Sequence, residues 1–141
     1  MSEDSGTRRV LVVDDEPDIV TYFTILLESN GFDVLSSDNA HEAVSIAAEQ
    51  RPGLICLDIM MPRKSGLACY KELRQKEETK TIPVIIVSAF GQPKEFKGDR
   101  FKMIINEDDI PEPEGFIEKP IQPDEFISAI EENYKAEPEG E

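Results

Sequence analysis

The stretch VLVVDDEPD, from Val10 to Asp18, runs from aliphatic residues straight into two adjacent aspartates, Asp14 and Asp15. Two carboxylates about 4 Å apart repel each other by roughly 4 kcal/mol at an effective dielectric near 20. A bound cation would remove this repulsion, so the pair is a candidate metal site. Aspartate is also common in solvated turns that precede helices, where it caps the first turn. This stretch alone leaves both interpretations open.

Side chains that can do chemistry also follow three other apolar segments. Asp58 follows LICL, Ser88 follows VIIV and Lys119 follows GFIE. If these segments are parallel strands of one sheet, their carboxyl ends bring carboxylates, a hydroxyl and an ammonium to one edge. Such a set can hold a divalent cation and a phosphoryl group. Mg²⁺ prefers carboxylates, waters and phosphate oxygens, whereas Zn²⁺ prefers His or Cys, so Mg²⁺ is the expected cation.

The strands that position these residues are predicted from hydrophobicity. Three runs are apolar at every position, which is typical of parallel strands buried on both faces. They are VLVV at 10–13, LICL at 54–57 and VIIV at 84–87. The segments FDVLSS at 32–37 and GFIE at 115–118 predict a second and a fifth strand.

Segments with the apolar periodicity of amphipathic helices alternate with these strands. They are residues 17–30, 41–50, 65–78 and 122–134. The first has Pro17 at its start and Gly31 just past its end, which are typical start and stop signals. A shorter helix is predicted around residues 100–105. The alternation predicts an α/β fold, namely (βα)5 around a doubly wound, parallel five-stranded sheet.

Composition narrows the classes of function. The 141 residues are enough for one domain with its own core. The formal net charge of −15 disfavours binding to DNA or to an anionic membrane. Cys56 and Cys69 are too few for a disulfide framework, and no signal peptide or membrane-spanning run is present in the sequence. We therefore expect a cytoplasmic protein with reduced thiols.

Taken together, the motifs resemble the receiver domain of response regulators in two-component signalling. The motifs are VLVVDDEP, LDIMMPRKSG with the pattern Asp-x-x-Met-Pro-x-x-x-Gly, then VSA and EKP. The resemblance covers residues 9–135, with a flexible segment at 1–8 and an acidic tail at 136–141. It implies the flavodoxin-like, CheY-like strand order 2-1-3-4-5 and a stand-alone response regulator.

The resemblance also implies a role for each residue of the acidic edge. Asp58 would accept a phosphoryl group from the phosphohistidine of a sensor histidine kinase or a phosphotransfer protein. Asp15 would ligate Mg²⁺ directly, Asp14 through water, and Asp58 and the backbone carbonyl of Met60 would complete the protein's ligands. Lys119 would pair with a phosphate oxygen. The protein would catalyse only its own phosphorylation and dephosphorylation, and would not be an enzyme in the wider sense.

Three further residues take expected roles from the same resemblance. Ser88 would donate a hydrogen bond to the phosphoryl group, and Phe116 would be the switch aromatic that turns inward when Ser88 moves. Pro120 is the candidate cis-proline that aims Lys119 inward. Each has a structural alternative: Ser88 satisfied by backbone, Lys119 solvated, and Phe116 packed permanently in the core.

Two features depart from the family pattern. An acidic, proline-rich loop at 106–114 replaces the usual Ala-Gly-Ala segment, and we expect it to alter partner recognition. Met60 and Phe90, each two residues after Asp58 and Ser88 respectively, cannot orient a water, which predicts slow self-dephosphorylation. The residues do not exclude a binding-only pseudo-receiver that is never phosphorylated. Dimerisation, the cognate kinase and the output partner stay open, and His41 is expected to be an ordinary surface residue.

Overall fold

The computed structural model describes residues 8–59, 66–88, 103, 105–106 and 109–135. The strands in this part of the chain are β1 (Arg8–Val13), β2 (Phe32–Ser37), β3 (Leu54–Asp58), β4 (Val84–Ser88) and β5 (Gly115–Glu118). The helices there are α1 (Pro17–Ser29), α2 (Ala40–Gln50), α3 (Gly66–Gln75) and α4 (Pro123–Asn133). All pairings are parallel and the order is β2-β1-β3-β4-β5. The predicted fold class and strand order are confirmed.

The strands buried on both faces are the ones with unbroken apolar sequence. Every residue of β3 and β4 is buried, and so are the last four of β1. One face of the sheet packs on α2 and α3, and the other packs on α1 and α4. Burial on two faces explains why these strands lack the alternation of a half-exposed sheet.

The helix boundaries follow local start and stop signals. Pro17 occupies the first turn of α1, and Gly31 beyond its end has a φ of 90°. The side chain of Asn39 caps α2 by accepting a hydrogen bond from the Glu42 amide at 2.8 Å. Arg51 ends this helix in the left-handed conformation. No helix within the described ranges is both long and apolar enough to cross a bilayer.

Helix α3 ends at Gln75, three residues before the predicted end at 78. The reason is Thr79, which is fully buried and donates from its hydroxyl to the Leu73 carbonyl at 2.6 Å. This bond satisfies a carbonyl near the helix end and folds the following residues into a turn. Arg74 is buried on the inward face of α3.

Other predicted boundaries also need correction or lie outside the described residues. Arg8, expected in a flexible segment, is the first residue of β1 and pairs with Phe32. Asn106, expected to begin the loop, is helical together with Met103 and Ile105. The segments 1–7, 107–108 and 136–141 lie outside the residues that the structure describes.

The described part of the acidic loop, residues 109–114, packs on the protein surface through two of its residues. Ile110 and Pro113 are buried. The Tyr70 hydroxyl donates to the Pro111 carbonyl at 2.6 Å, which connects the loop to α3. The loop therefore has a defined path into β5.

Candidate metal and phosphoryl site

Three carboxylates converge where β1 and β3 end. Asp14 directly follows β1, Asp58 is the last residue of β3, and these strands pair with Val13 opposite Leu57. One carboxylate oxygen from each of Asp14, Asp15 and Asp58 lies within 4.8 Å of the other two. Asp14 and Asp58 are 1% and 5% exposed, so both carboxylates are largely removed from water. A set of carboxylate oxygens at this spacing fits a hard divalent cation such as Mg²⁺.

Asp14 is held by the backbone on one side and by an ammonium on the other. Its amide donates to the Ser37 carbonyl at 3.1 Å, and its Oδ1 accepts the Glu16 amide at 3.0 Å. Its Oδ2 lies 3.3 Å from the Nζ of Lys119. Burial raises the pKa of Asp14 above the ordinary 3.8, although the Glu16 amide and Lys119 both act to lower it. The negative charge of Asp14 is thus only partly compensated.

Lys119 enters the site from β5. Its amide donates to the Ser88 carbonyl at 2.8 Å, and its peptide bond to Pro120 is cis. Burial alone would lower the pKa of Lys119, but the carboxylates of Asp14 and Asp58 outweigh this effect and raise it. The ammonium therefore stays charged at neutral pH and faces the carboxylates.

Ser88 and Phe116 lie on the neighbouring strands. Ser88 ends β4, is 6% exposed, and directly follows Val87, which stands opposite Asp58 in the sheet. Phe116 on β5 is half-buried and packs against the core on the α2 and α3 face. Its half-buried position differs from that of the fully buried core aromatics.

An open cleft borders the carboxylates between the loops that follow β1 and β2. It has a volume of about 420 Å³ and is lined by Asp14, Asp15, Ser37, Asp38 and Glu42, among others. Its acidic lining attracts cations, so the cleft gives a hydrated cation a route to Asp15.

The sheet thus brings together Asp14, Asp15, Asp58, Ser88 and Lys119, which the sequence placed at strand ends. Met60 and Phe90 lie outside the described residues. His41 is exposed in the first turn of α2.

Glu16 is the residue at this site that sequence reasoning missed. Its Oε1 lies 3.6 Å from the Nζ of Lys119. The available signal was a third acidic residue directly after the aspartate pair.

The model of the response regulator receiver domain matches residues 10–131, which is most of the chain. The chain belongs to the response regulator receiver family. Its described fold and its acidic edge agree with this assignment. The receiver domain belongs to two-component signalling, in which receivers interact with histidine kinases or phosphotransfer proteins.

Curated relatives support the same family, and a solved structure shows the same fold. The polar-differentiation response regulator DivK of Brucella anthropi is 36% identical over 123 residues, covering 87% of this chain and 93% of the relative. Protein PilH of Pseudomonas aeruginosa is 37% identical over 84 residues, 60% of this chain and 69% of that protein. The chemotaxis protein CheY4 of Vibrio cholerae superposes with a TM-score of 0.75 at 21% identity, covering 90% of this chain and 98% of that one. At that identity the superposition shows the fold alone.

Proposed function

We propose that this receiver, residues 9–135, accepts a phosphoryl group on Asp58 from the phosphohistidine of a sensor histidine kinase or a phosphotransfer protein. The observation that carries the proposal is the convergence of three carboxylates with a partly buried lysine ammonium at one sheet edge. Asp14, Asp15 and Asp58 would hold Mg²⁺, together with the backbone carbonyl of Met60. A binding-only receiver would not need this cluster of mutually repelling charges.

Each residue has a defined task in the transfer. An oxygen of the Asp58 carboxylate attacks phosphorus, the phosphorus–nitrogen bond to histidine breaks, and the histidine nitrogen keeps the electron pair. A bound Mg²⁺ supplies positive charge that offsets the repulsion between the carboxylates and the incoming phosphoryl oxygens. The product is an acyl phosphate on Asp58 and a free histidine.

Lys119 and Ser88 then bind the new phosphoryl group. The Lys119 ammonium lies 3.3 Å from Asp14 before transfer and then forms an ion pair with a phosphoryl oxygen. The Ser88 hydroxyl donates a hydrogen bond to another phosphoryl oxygen. The Lys119 amide donates to the Ser88 carbonyl, which links the two residues that contact the phosphoryl group. Phe116 on β5 would turn inward when Ser88 moves, and this would change the surface presented to a partner.

Phosphorylation with a small-molecule donor tests the proposal. Wild type, Asp58→Asn and the control Asp33→Asn, an exposed aspartate on β2, are incubated with acetyl phosphate with and without Mg²⁺, and intact mass is measured. We expect a Mg²⁺-dependent gain of one phosphoryl group in wild type and in Asp33→Asn, and none in Asp58→Asn. No gain from acetyl phosphate or from a panel of phosphorylated kinases would overturn the proposal in favour of the binding-only receiver.

A further inference from the structure

We propose that Glu16 is a positioning residue that holds Lys119 beside the site when a divalent cation, directly or through a water, engages Asp14. This role rests on the proposed metal site and adds a residue to it. Glu16 does not belong to the group of carboxylates whose oxygens converge, because that group is Asp14, Asp15 and Asp58. Its contribution therefore runs through Lys119.

The lysine ammonium lies between two carboxylates. Its Nζ is 3.3 Å from Asp14 Oδ2 and 3.6 Å from Glu16 Oε1. The Lys119 side chain is 16% exposed, whereas that of Glu16 is 63% exposed. Inside the protein the ammonium is attracted by Asp14 and Asp58, both members of the converging carboxylate group, and at the surface it is attracted by Glu16.

The backbone of Glu16 limits where its side chain can reach. Its amide donates to Asp14 Oδ1 at 3.0 Å, and its carbonyl accepts the amides of Ile19 and Val20 at 3.1 Å. Glu16 occupies the N-cap position of α1, yet its side chain makes no capping hydrogen bond. The carboxylate is directed to Lys119 instead of to the helix amides.

A bound cation and the Lys119 ammonium compete for the Asp14 carboxylate. Both Asp14 oxygens are already engaged, Oδ1 by the Glu16 amide and Oδ2 by Lys119. A cation that binds Asp14 repels the ammonium and takes one of its partners. With Glu16 present, the ammonium keeps a carboxylate; without it, a largely buried charge loses more of its compensation. Glu16 therefore favours cation binding by accommodating Lys119.

A double-mutant cycle separates this role from simple charge removal. Mg²⁺ affinity is measured by titration calorimetry for wild type, Glu16→Gln and Asp18→Asn, which removes the same charge from the exposed first turn of α1. The same changes are repeated in a Lys119→Met background, with Lys119→Gln as substitute if that variant does not fold. We expect Glu16→Gln to weaken Mg²⁺ binding about two- to five-fold, beyond the effect of Asp18→Asn, because the pair is partly exposed. In the Lys119→Met background the excess should disappear.

The outcomes distinguish this role from the function on which it rests. If Glu16→Gln and Asp18→Asn weaken binding equally, or if the excess persists without Lys119, the positioning role is wrong while the metal site stands. If wild type binds no Mg²⁺ at all, the proposed metal site is wrong and the role of Glu16 falls with it.

Discussion

The Nη2 atom of Arg74 lies 2.7 Å from the Oε1 atom of Glu114, joining α3 to the segment that enters β5. The Arg74 side chain is 3% exposed, and it also donates to the Tyr70 hydroxyl and to the Ile82 carbonyl. The same Glu114 oxygen accepts the Val84 amide at 2.7 Å. Glu114 therefore connects the start of β4 to the start of β5, and connects both to α3.

Removing the Glu114 carboxylate should destabilise the fold. Glu114→Ala removes the only carboxylate that contacts the buried Arg74 guanidinium among the described residues, and it removes the acceptor of the Val84 amide. The partial exposure of Glu114 moderates the loss to about 1–2 kcal/mol. Urea unfolding, monitored by circular dichroism, measures this loss of stability. Glu77→Ala, which breaks the exposed Glu77–Lys80 pair, is the control and should cost less than about 0.5 kcal/mol. Equal losses in both variants would contradict a stabilising role of the Glu114 contacts.

Gly66 at the start of α3 has no room for a side chain. A Cβ there would lie 2.5 Å from the Asp58 carbonyl oxygen and would also contact the Ile59 backbone. Backbone atoms cannot move aside as a flexible side chain can, so Gly66→Ala should cost about 1–3 kcal/mol and displace the end of β3. We expect slower phosphorylation of Asp58 as well as a lower urea midpoint.

Gly115→Ala is the matched control for this change. Among the residues that the structure describes, a Cβ at Gly115 meets only Ile85 Cγ1, at 3.7 Å, which is an ordinary van der Waals distance. Stability and phosphorylation rate should stay close to those of wild type, since this site has space for a methyl group. A wild-type urea midpoint for Gly66→Ala would refute the crowding beside Asp58.

Asp14→Asn should stabilise the metal-free protein at neutral pH. Burial raises the pKa of Asp14, so the native state binds a proton there more tightly than the unfolded state does. Wild-type stability in EDTA should therefore rise as pH falls from neutral through the raised pKa towards 3.8, apart from the titration of other groups. A neutral asparagine at this position lacks the pH-dependent stability that the Asp14 carboxylate causes. The stability difference between variant and wild type should therefore shrink as the pH falls.

Asp33→Asn controls for the loss of one charge at an exposed position. Its stability should follow the wild-type pH profile, measured by urea unfolding at a series of pH values. An Asp14→Asn variant less stable than wild type at neutral pH would mean that the ion pair with Lys119 outweighs the burial of Asp14.

Mg²⁺ should reverse the order of stability between wild type and Asp14→Asn. At a concentration of about 100 times the dissociation constant, a ligand that binds only the native state adds about 2.7 kcal/mol. Wild type should gain this amount, whereas Asp14→Asn, with a weakened site, should gain less. Thermal unfolding with Mg²⁺ and with EDTA measures both, and identical gains would contradict a role for Asp14 in cation binding.

The cysteines should be unreactive in the folded protein. Cys56 and Cys69 are both buried, and burial raises the pKa of Cys56 to about 12. At pH 8 about one Cys56 in ten thousand is then a thiolate, which is the nucleophilic form. An aromatic disulfide reagent should modify neither thiol in buffer and both in urea. Rapid modification in buffer would show that the sheet opens locally.

Much of the fold was determined by the sequence at short range. Unbroken apolar runs marked β3 and β4 as strands buried on both faces, because each residue type reports its own contact with water. Helix starts and stops such as Pro17 and Gly31 act through the backbone of a few neighbouring residues. Since parallel strands end at the same edge, the acidic site followed from strand ends alone.

Tertiary structure decided the contacts between residues that are distant in the chain. Lys119 meets Asp14 across 105 positions, and Arg74 meets Glu114 across 40. The end of α3 at Gln75 and the packing of residues 109–114 depend on such contacts, which no local window contains. Local patterns encode which residues face inward, but the partner of a buried charge is fixed only when the elements pack, because that partner must compensate its desolvation at one particular position.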